Sequence, residues 1–280
     1  MFDEIVSSLT CPHCGEPLAV AGVSLGCANE HVFDVARQGY ANLLAGDAKA
    51  GTADTAAMVE ARSAFQGRGH FGPIEREIAR VASGALSGDA RGCVVDIGAG
   101  TGRYLAGVLD AVPGRFGLAL DISKFAMRRA AKAHPRIGAV VCDVWSGLPV
   151  RSGAAALLLD VFAPRNAAEF ARVLAPGGAL VVVTPTDRHL GELVGPLGLL
   201  TVDPKKADRL AESLEGRFDL VGSAVTEYPM TLDHADVSAI VAMGPSAHHA
   251  DAGVLASRIA GLPEPVRVTA SVTISVYRPV

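Results

Sequence analysis

Two pairs of soft donors stand near the start of the chain, Cys11-x2-Cys14 and Cys27-x3-His31, with twelve residues between them. Each pair spans a tight turn, Cys11-Pro-His-Cys14-Gly forming a knuckle, so both members of a pair can face one centre. Three thiolates and one imidazole are the donor set of a closed, structural zinc site. A redox Cys-x-x-Cys opens a helix after a strand and needs no second pair, and free thiols brought together by chance have no reason to share this spacing. His13 lies inside the knuckle, but its flanking cysteines already have the ligand spacing, so it is left out. So short a segment has too little apolar content to fold alone. Structural zinc contributes roughly 10–16 kcal/mol of apparent binding energy in small fingers, enough to order it.

A second constellation lies in "CVVDIGAGTGRYLAGVL", where Gly98, Gly100 and Gly102 follow an apolar run that ends in Asp96-Ile97. Glycines let a turn pass close beneath a ligand, and the helix that follows presents free N–H groups to it. The dinucleotide fingerprint places its third glycine two residues further along, where Arg103 stands. The tighter Gly-x-Gly-x-Gly, with Asp96 before it, suits S-adenosylmethionine, whose amino-acid part lies over the turn and whose ammonium can meet a carboxylate. Asp121 ends the next apolar run and can accept from both ribose hydroxyls. Asp143, followed by Val144, ends the third and is placed for the adenine amino group.

Other chemistry-bearing residues carry weaker signals. Asp160 ends a fourth apolar run, where methyltransferases often put groups that face the substrate, but a solvated strand-end acid reads the same way. Phe162 can stack on a base or pack into the core. Trp145, the sole tryptophan, can flank adenine or pack likewise. His248 and His249 have no cysteine or acid at ligand spacing and read as a polar loop; His70 and His234 receive no role. The formal charge is −4, which offers nucleic acid nothing overall. Residues 91–190 nevertheless hold 12 basic against 7 acidic side chains, a net of +5. Lys124, Arg128, Arg129, Lys132 and Arg136 fall mostly on one side of a helix there. Such a face is either a solvated surface or a local phosphate site.

The elements that must position these groups follow from hydrophobic period. Half the residues are apolar and 19% are charged, enough for one large core plus a small appendage. Apolar runs are strand-sized, none long enough to span a membrane. The acidic start lacks a signal-peptide layout, and Cys93 and Cys142 stand alone, so the expectation is a cytoplasmic protein without a disulfide framework. Strands are expected at 93–97, 116–120, 139–141, 156–161 and 179–184, with helices after the first and fourth. Leu174-x-Pro-Gly-Gly turns into the fifth strand, a mark of class I methyltransferases. Strict alternation from Val266 to Val276 predicts a late strand, with 217–226 pairing near it as a closing hairpin. Met58, Ala61 and Phe65 predict a helix from Asp54, and a second runs over 74–81. Residues 45–53 read as a linker or mobile loop. The expected division is a zinc ribbon at 1–44, a linker and helical lid at 45–90, and an α/β Rossmann-like domain with a seven-stranded sheet at 91–280.

The motifs "CPHC", "FDVARQGYANLL", "GHFGP", "VVDIGAGTG", "DVWSGLP", "VFAPRN", "LAPGG" and "RHL" together resemble bacterial large-subunit rRNA guanine-N1 methyltransferases with an N-terminal zinc ribbon. The resemblance spans the chain and is greatest to the branch associated with tylosin and mycinamicin resistance. It implies that Cys11, Cys14, Cys27 and His31 hold zinc, that the ribbon helps grip an RNA hairpin, and that Phe71, Gly100, Thr101 and His189 touch S-adenosylmethionine. Phe71 stands where relatives often have tyrosine. It further implies a homodimer acting on a guanine in a domain II hairpin of 23S rRNA. A small-molecule methyltransferase with a zinc appendage is the alternative. A zinc module on a non-catalytic Rossmann domain is disfavoured by the intact Asp96, glycine loop and Asp121.

Overall fold

The computed structural model describes residues 2–44, 53–86, 90–199, 212–244 and 252–280. His248 and His249 lie outside these, as does the expected linker except Ala53. Apolar, β-branched runs form the centre of one large sheet. β5 (Cys93–Ile97), β7 (Ile137–Val141) and β8 (Ala155–Val161) bury every residue, as parallel strands covered on both faces must. β6 (Gly117–Asp121) and β9 (Leu174–Pro185) complete the parallel core. The closing hairpin is present and longer than expected: β10 (Phe218–Leu232) pairs antiparallel with β11 (Val266–Pro279), which pairs antiparallel with β9. The Leu174-x-Pro-Gly-Gly turn is absorbed into β9 itself, with Gly177 at φ 74° and a register shift opposite Ala155–Leu157.

The sheet has eight strands, not seven, in the order β10-β11-β9-β8-β5-β6-β7-β4. The added strand, β4 (Tyr40–Asn42), comes from the N-terminal segment and pairs parallel with β7, Ala41 facing Val140. It covers the ladder groups that β7 would otherwise present at an open edge. The ribbon proper is a separate antiparallel sheet of β1 (Leu18–Ala21), β2 (Ser24–Cys27) and β3 (Val32–Asp34).

The ribbon is not a free appendage. One face of the large sheet is covered by helices α3 (Gly72–Ala85), α4 (Arg103–Ala111) and α5 (Lys124–Ala133), through Ile74, Ile78, Leu105, Leu109 and Met127. On the other face Ile5, Leu9, Leu25 and Phe33 join one core with Val95, Leu118, Val140 and Phe170. The N-terminal segment thus supplies a layer that a further helix would otherwise fill. Gly138 shows how close the approach is: a Cβ there would lie 1.7 Å from Ile5 Cδ1. Ahead of β5, α2 (Ala56–Gly67) begins at Thr55, whose hydroxyl accepts from the Met58 N–H at 3.3 Å, and Pro73 opens α3. No helix among the described residues is long and apolar enough to cross a membrane.

Candidate active site and metal centre

Cys11 and Cys14 come from the knuckle before β1, Cys27 from the end of β2, and His31 from the turn into β3. Their donor atoms all lie within 4.8 Å of one another. Cys11 Sγ is 3.6 Å and Cys27 Sγ 3.4 Å from His31 Nδ1, and Cys14 Sγ is 3.7 Å from Cys27 Sγ. A tetrahedron with bonds of about 2.3 Å to sulfur and about 2.0 Å to nitrogen has edges of about 3.8 and 3.5 Å. The four side chains therefore fit zinc. His13 stays outside the set, its ring stacked 5.7 Å from Phe33.

The glycine turn sits at the carboxyl edge of β5, with Gly98, Gly100 and Gly102 at φ 64°, 54° and 76°. These values, and a Cβ at Gly98 that would lie 2.8 Å from that of Ala163, exclude larger residues without strain. Asp121 organises the turn: its Oδ2 accepts from Gly100 N–H at 2.9 Å and its Oδ1 from Ser123 N–H at 2.8 Å. Asp143 similarly accepts from Trp145 N–H and the Ser146 hydroxyl. Asp121, Asp143, Val144, Gly98 and Trp145 line one cleft of about 200 Å³. Trp145 is 65% exposed at its rim, so the core alternative for it does not hold. Asp96 is 1% exposed, and its Oδ2 has no hydrogen-bond partner among the described residues. Burial, with the charges of Asp160 and Asp121 beside it, holds this carboxyl well above the usual range. An unpartnered acceptor just ahead of the glycine turn is an atom that a cationic group could satisfy, although Asp96 is not among the residues lining the cleft. Thr101 is buried, and its hydroxyl donates to Gln66 Oε1 of α2 at 2.6 Å.

Aromatic residues mark the other half of the edge. His189 lies between Phe71 and Phe162, with ring centres 6.0 and 6.1 Å away. Its Nδ1 accepts from Ser271 N–H at 3.1 Å, which leaves the ring proton on Nε2, and burial brings the imidazole down to about 4. Phe71 is buried against Phe65. Phe162 takes a left-handed φ of 57° and remains 39% exposed, a strained presentation typical of functional surfaces. Asp160, two residues earlier, is fully buried with Arg165 Nε 3.5 Å from its Oδ1. It lies beneath the surface that a substrate would touch, so the direct catalytic role weighed for it finds no support in its placement.

The basic candidates divide. Lys124, Arg129 and Lys132 are exposed on α5, although Arg129 pairs with Glu60. Arg128 is half-buried with its guanidinium 5.6 Å from the Phe125 ring centre. Arg136 does not share the face: it lies beyond α5 and donates to the carbonyls of Leu109, Val112 and Arg115, capping the end of α4. Sequence reading missed Asp54, Arg62 and Gln66 around the glycine turn. They sit in or before an ordinary amphipathic helix, and nothing in that pattern marks a ligand.

A zinc-ribbon family model described as "RlmA, N-terminal" matches residues 9–51. A Streptomyces fradiae protein named 23S rRNA (guanine(748)-N(1))-methyltransferase is 51% identical over 100% of this chain and 99% of its own. A Micromonospora griseorubida protein, provisionally named a 23S rRNA guanine-N1 methyltransferase, is 49% identical over the whole of both chains. Among solved structures, one from Bacillus halodurans, provisionally titled a methyltransferase, aligns with a TM-score of 0.51 at 14% identity, covering 73% of this chain and 97% of its own. That likeness concerns the fold alone. The full-length relatives, together with the ribbon and the carboxyl-edge turn, decide the family: the chain belongs to the zinc-ribbon 23S rRNA guanine-N1 methyltransferases, which are S-adenosylmethionine-dependent enzymes.

Proposed function

We propose that the protein methylates N1 of a guanine in a domain II hairpin of 23S rRNA, acting as a cytoplasmic homodimer. Guanine 748, which the Streptomyces relative carries in its name, is the position to examine first. The observation that carries this reading is identity of about half the residues along the entire chain. In it Asp96, Gly98, Gly100, Thr101, Gly102 and Asp121 hold the methionine and ribose parts of the cofactor. Asp143 and Val144 hold adenine, and Phe71 and His189 lie toward the methyl. Protection against macrolides such as tylosin and mycinamicin is the physiological consequence we assign, on the motif resemblance to that branch.

S-adenosylmethionine supplies an electrophilic methyl on a sulfonium. The protein's task is to hold the nucleophile in line with it. Guanine N1 is buried in a Watson–Crick pair and carries a proton at neutral pH, so the base must leave its stack and lose that proton. Exposed Phe162, backed by His189, offers a platform for the extruded base. His189, neutral and with Nδ1 engaged, presents only an N–H donor and cannot take the proton there. The ribbon and the α5 face grip the surrounding phosphates.

Labelled S-adenosylmethionine with a 23S rRNA transcript tests the reading. Label enters the RNA and one primer-extension stop appears at the modified guanine. Label passing only to a macrolide or other metabolite would replace it with the small-molecule alternative.

A further inference from the structure

The cleft beside the glycine turn is acidic on most sides. Asp54, Asp121 and Asp143 line it, and Arg62 is the single cation among its described lining residues. Arg62 reaches it from α2, its Nη1 3.1 Å from the position a Cβ on Gly100 would occupy. Asp54 takes one of its N–H groups and the Met243 carbonyl takes another at 3.0 Å. The rest of the five donors that a guanidinium carries have no partner among the described residues. Asp54 is itself held, its carbonyl accepting from the Ser123 hydroxyl at 2.7 Å. The guanidinium is therefore clamped from two sides directly over the turn.

We propose that Arg62 binds the α-carboxylate of the cofactor's methionine end, with Asp54 as the residue that positions it. This rests on the reading of the cleft as the cofactor site. S-adenosylmethionine and S-adenosylhomocysteine each carry one anionic group, that carboxylate, and the cleft offers one cation. The acids suit the remaining polar groups, which are the ammonium, the ribose hydroxyls and the adenine amine. A planar fork held on a fixed helix matches a carboxylate in geometry as well as charge.

Calorimetry with two probes tests this: S-adenosylhomocysteine, and its decarboxylated analogue, which keeps adenosine and the amine. The intact protein binds the first more tightly than the second. Arg62→Gln weakens S-adenosylhomocysteine binding roughly 10- to 100-fold, the range for hydrogen bonds to a charged group. It leaves the analogue within about twofold, so the two ligands become nearly equivalent. Arg62→Lys keeps the charge without the fork and falls between; it also serves if the glutamine variant melts early. Asp54→Asn weakens S-adenosylhomocysteine a few-fold and spares the analogue. Equal loss of both ligands in the Arg62 variants, or no loss of either, overturns the proposal. So does loss of RNA-hairpin binding alone, which would assign the guanidinium to a phosphate. Failure of the unsubstituted protein to bind either probe would instead remove the cofactor reading of the cleft.

Discussion

The two sheets are held by different physics. In the ribbon, β1 buries only Leu18, β2 only Leu25 and β3 only Phe33. In the large sheet β5, β7 and β8 bury every side chain. Three buried residues contribute about 5–9 kcal/mol of transfer free energy, at about 1.5–3 kcal/mol each, too little to offset the ordering of the strands that carry them. The four metal ligands close that gap, whereas the glycine turn rests on a core that stands without a metal. The ribbon and the domain that carries the glycine turn are therefore expected to differ in stability although they share one core.

Metal removal challenges that separation most severely. Chelation, or Cys14→Ser, removes a contribution of order 10 kcal/mol. Hydrogen exchange then shows loss of protection in β1–β3, retention in β5–β8, and S-adenosylhomocysteine affinity kept within a few-fold. Collapse of protection in β5–β8 as well would make the two sheets one cooperative unit. Next comes the shared interface. Gly138→Ala drives a methyl into Ile5 and lowers unfolding free energy by about 1–3 kcal/mol, read from denaturant midpoints. An unchanged midpoint would detach the N-terminal segment from the core.

A smaller effect concerns RNA. Arg129→Ala with Lys132→Ala weakens hairpin binding several-fold and flattens its salt dependence by about one unit of slope for each phosphate no longer neutralised. Cofactor affinity stays unchanged, and an unaltered slope would clear α5 of any role in gripping RNA. The last concerns His189, which is silent at neutral pH. Burial holds its folded-state imidazole at about 4, against about 6.5 in an unfolded chain. On acidification the unfolded chain takes up this proton first. The residue therefore lowers stability progressively from about pH 6.5 toward 4 and is silent above that window. Its ring resonances hold still between about pH 7 and 5.5 in NMR titration; a midpoint near 6.5 would show an exposed ring.

Individual residues show how far each level of description reaches. Cys11, Cys14, Cys27 and His31 were legible because tetrahedral ligation demands short, fixed spacings along the chain. Gly98, Gly100 and Gly102 were legible because a left-handed turn excludes other residue types. Asp121 and Asp143 were found as strand-end acids, since a short apolar run marks where a buried strand stops. Arg136 was misplaced because charge spacing does not reveal which carbonyls lie within a guanidinium's reach. The β4 strand was missed because three residues with one buried edge carry no periodic signal, and only the open edge of β7 calls for them.

The amino-acid order alone thus marked features that depend on near neighbours: the metal set, the glycine turn and the acids at the strand ends. Folding in three dimensions was needed to make the ribbon a layer of the main core, to cover Asp160 while presenting Phe162, and to bring Arg62 and Asp54 together over Gly100. Each of those outcomes depends on packing against elements distant in the chain. Such meetings depend on how layers pack, and no spacing rule along a single strand or helix encodes them.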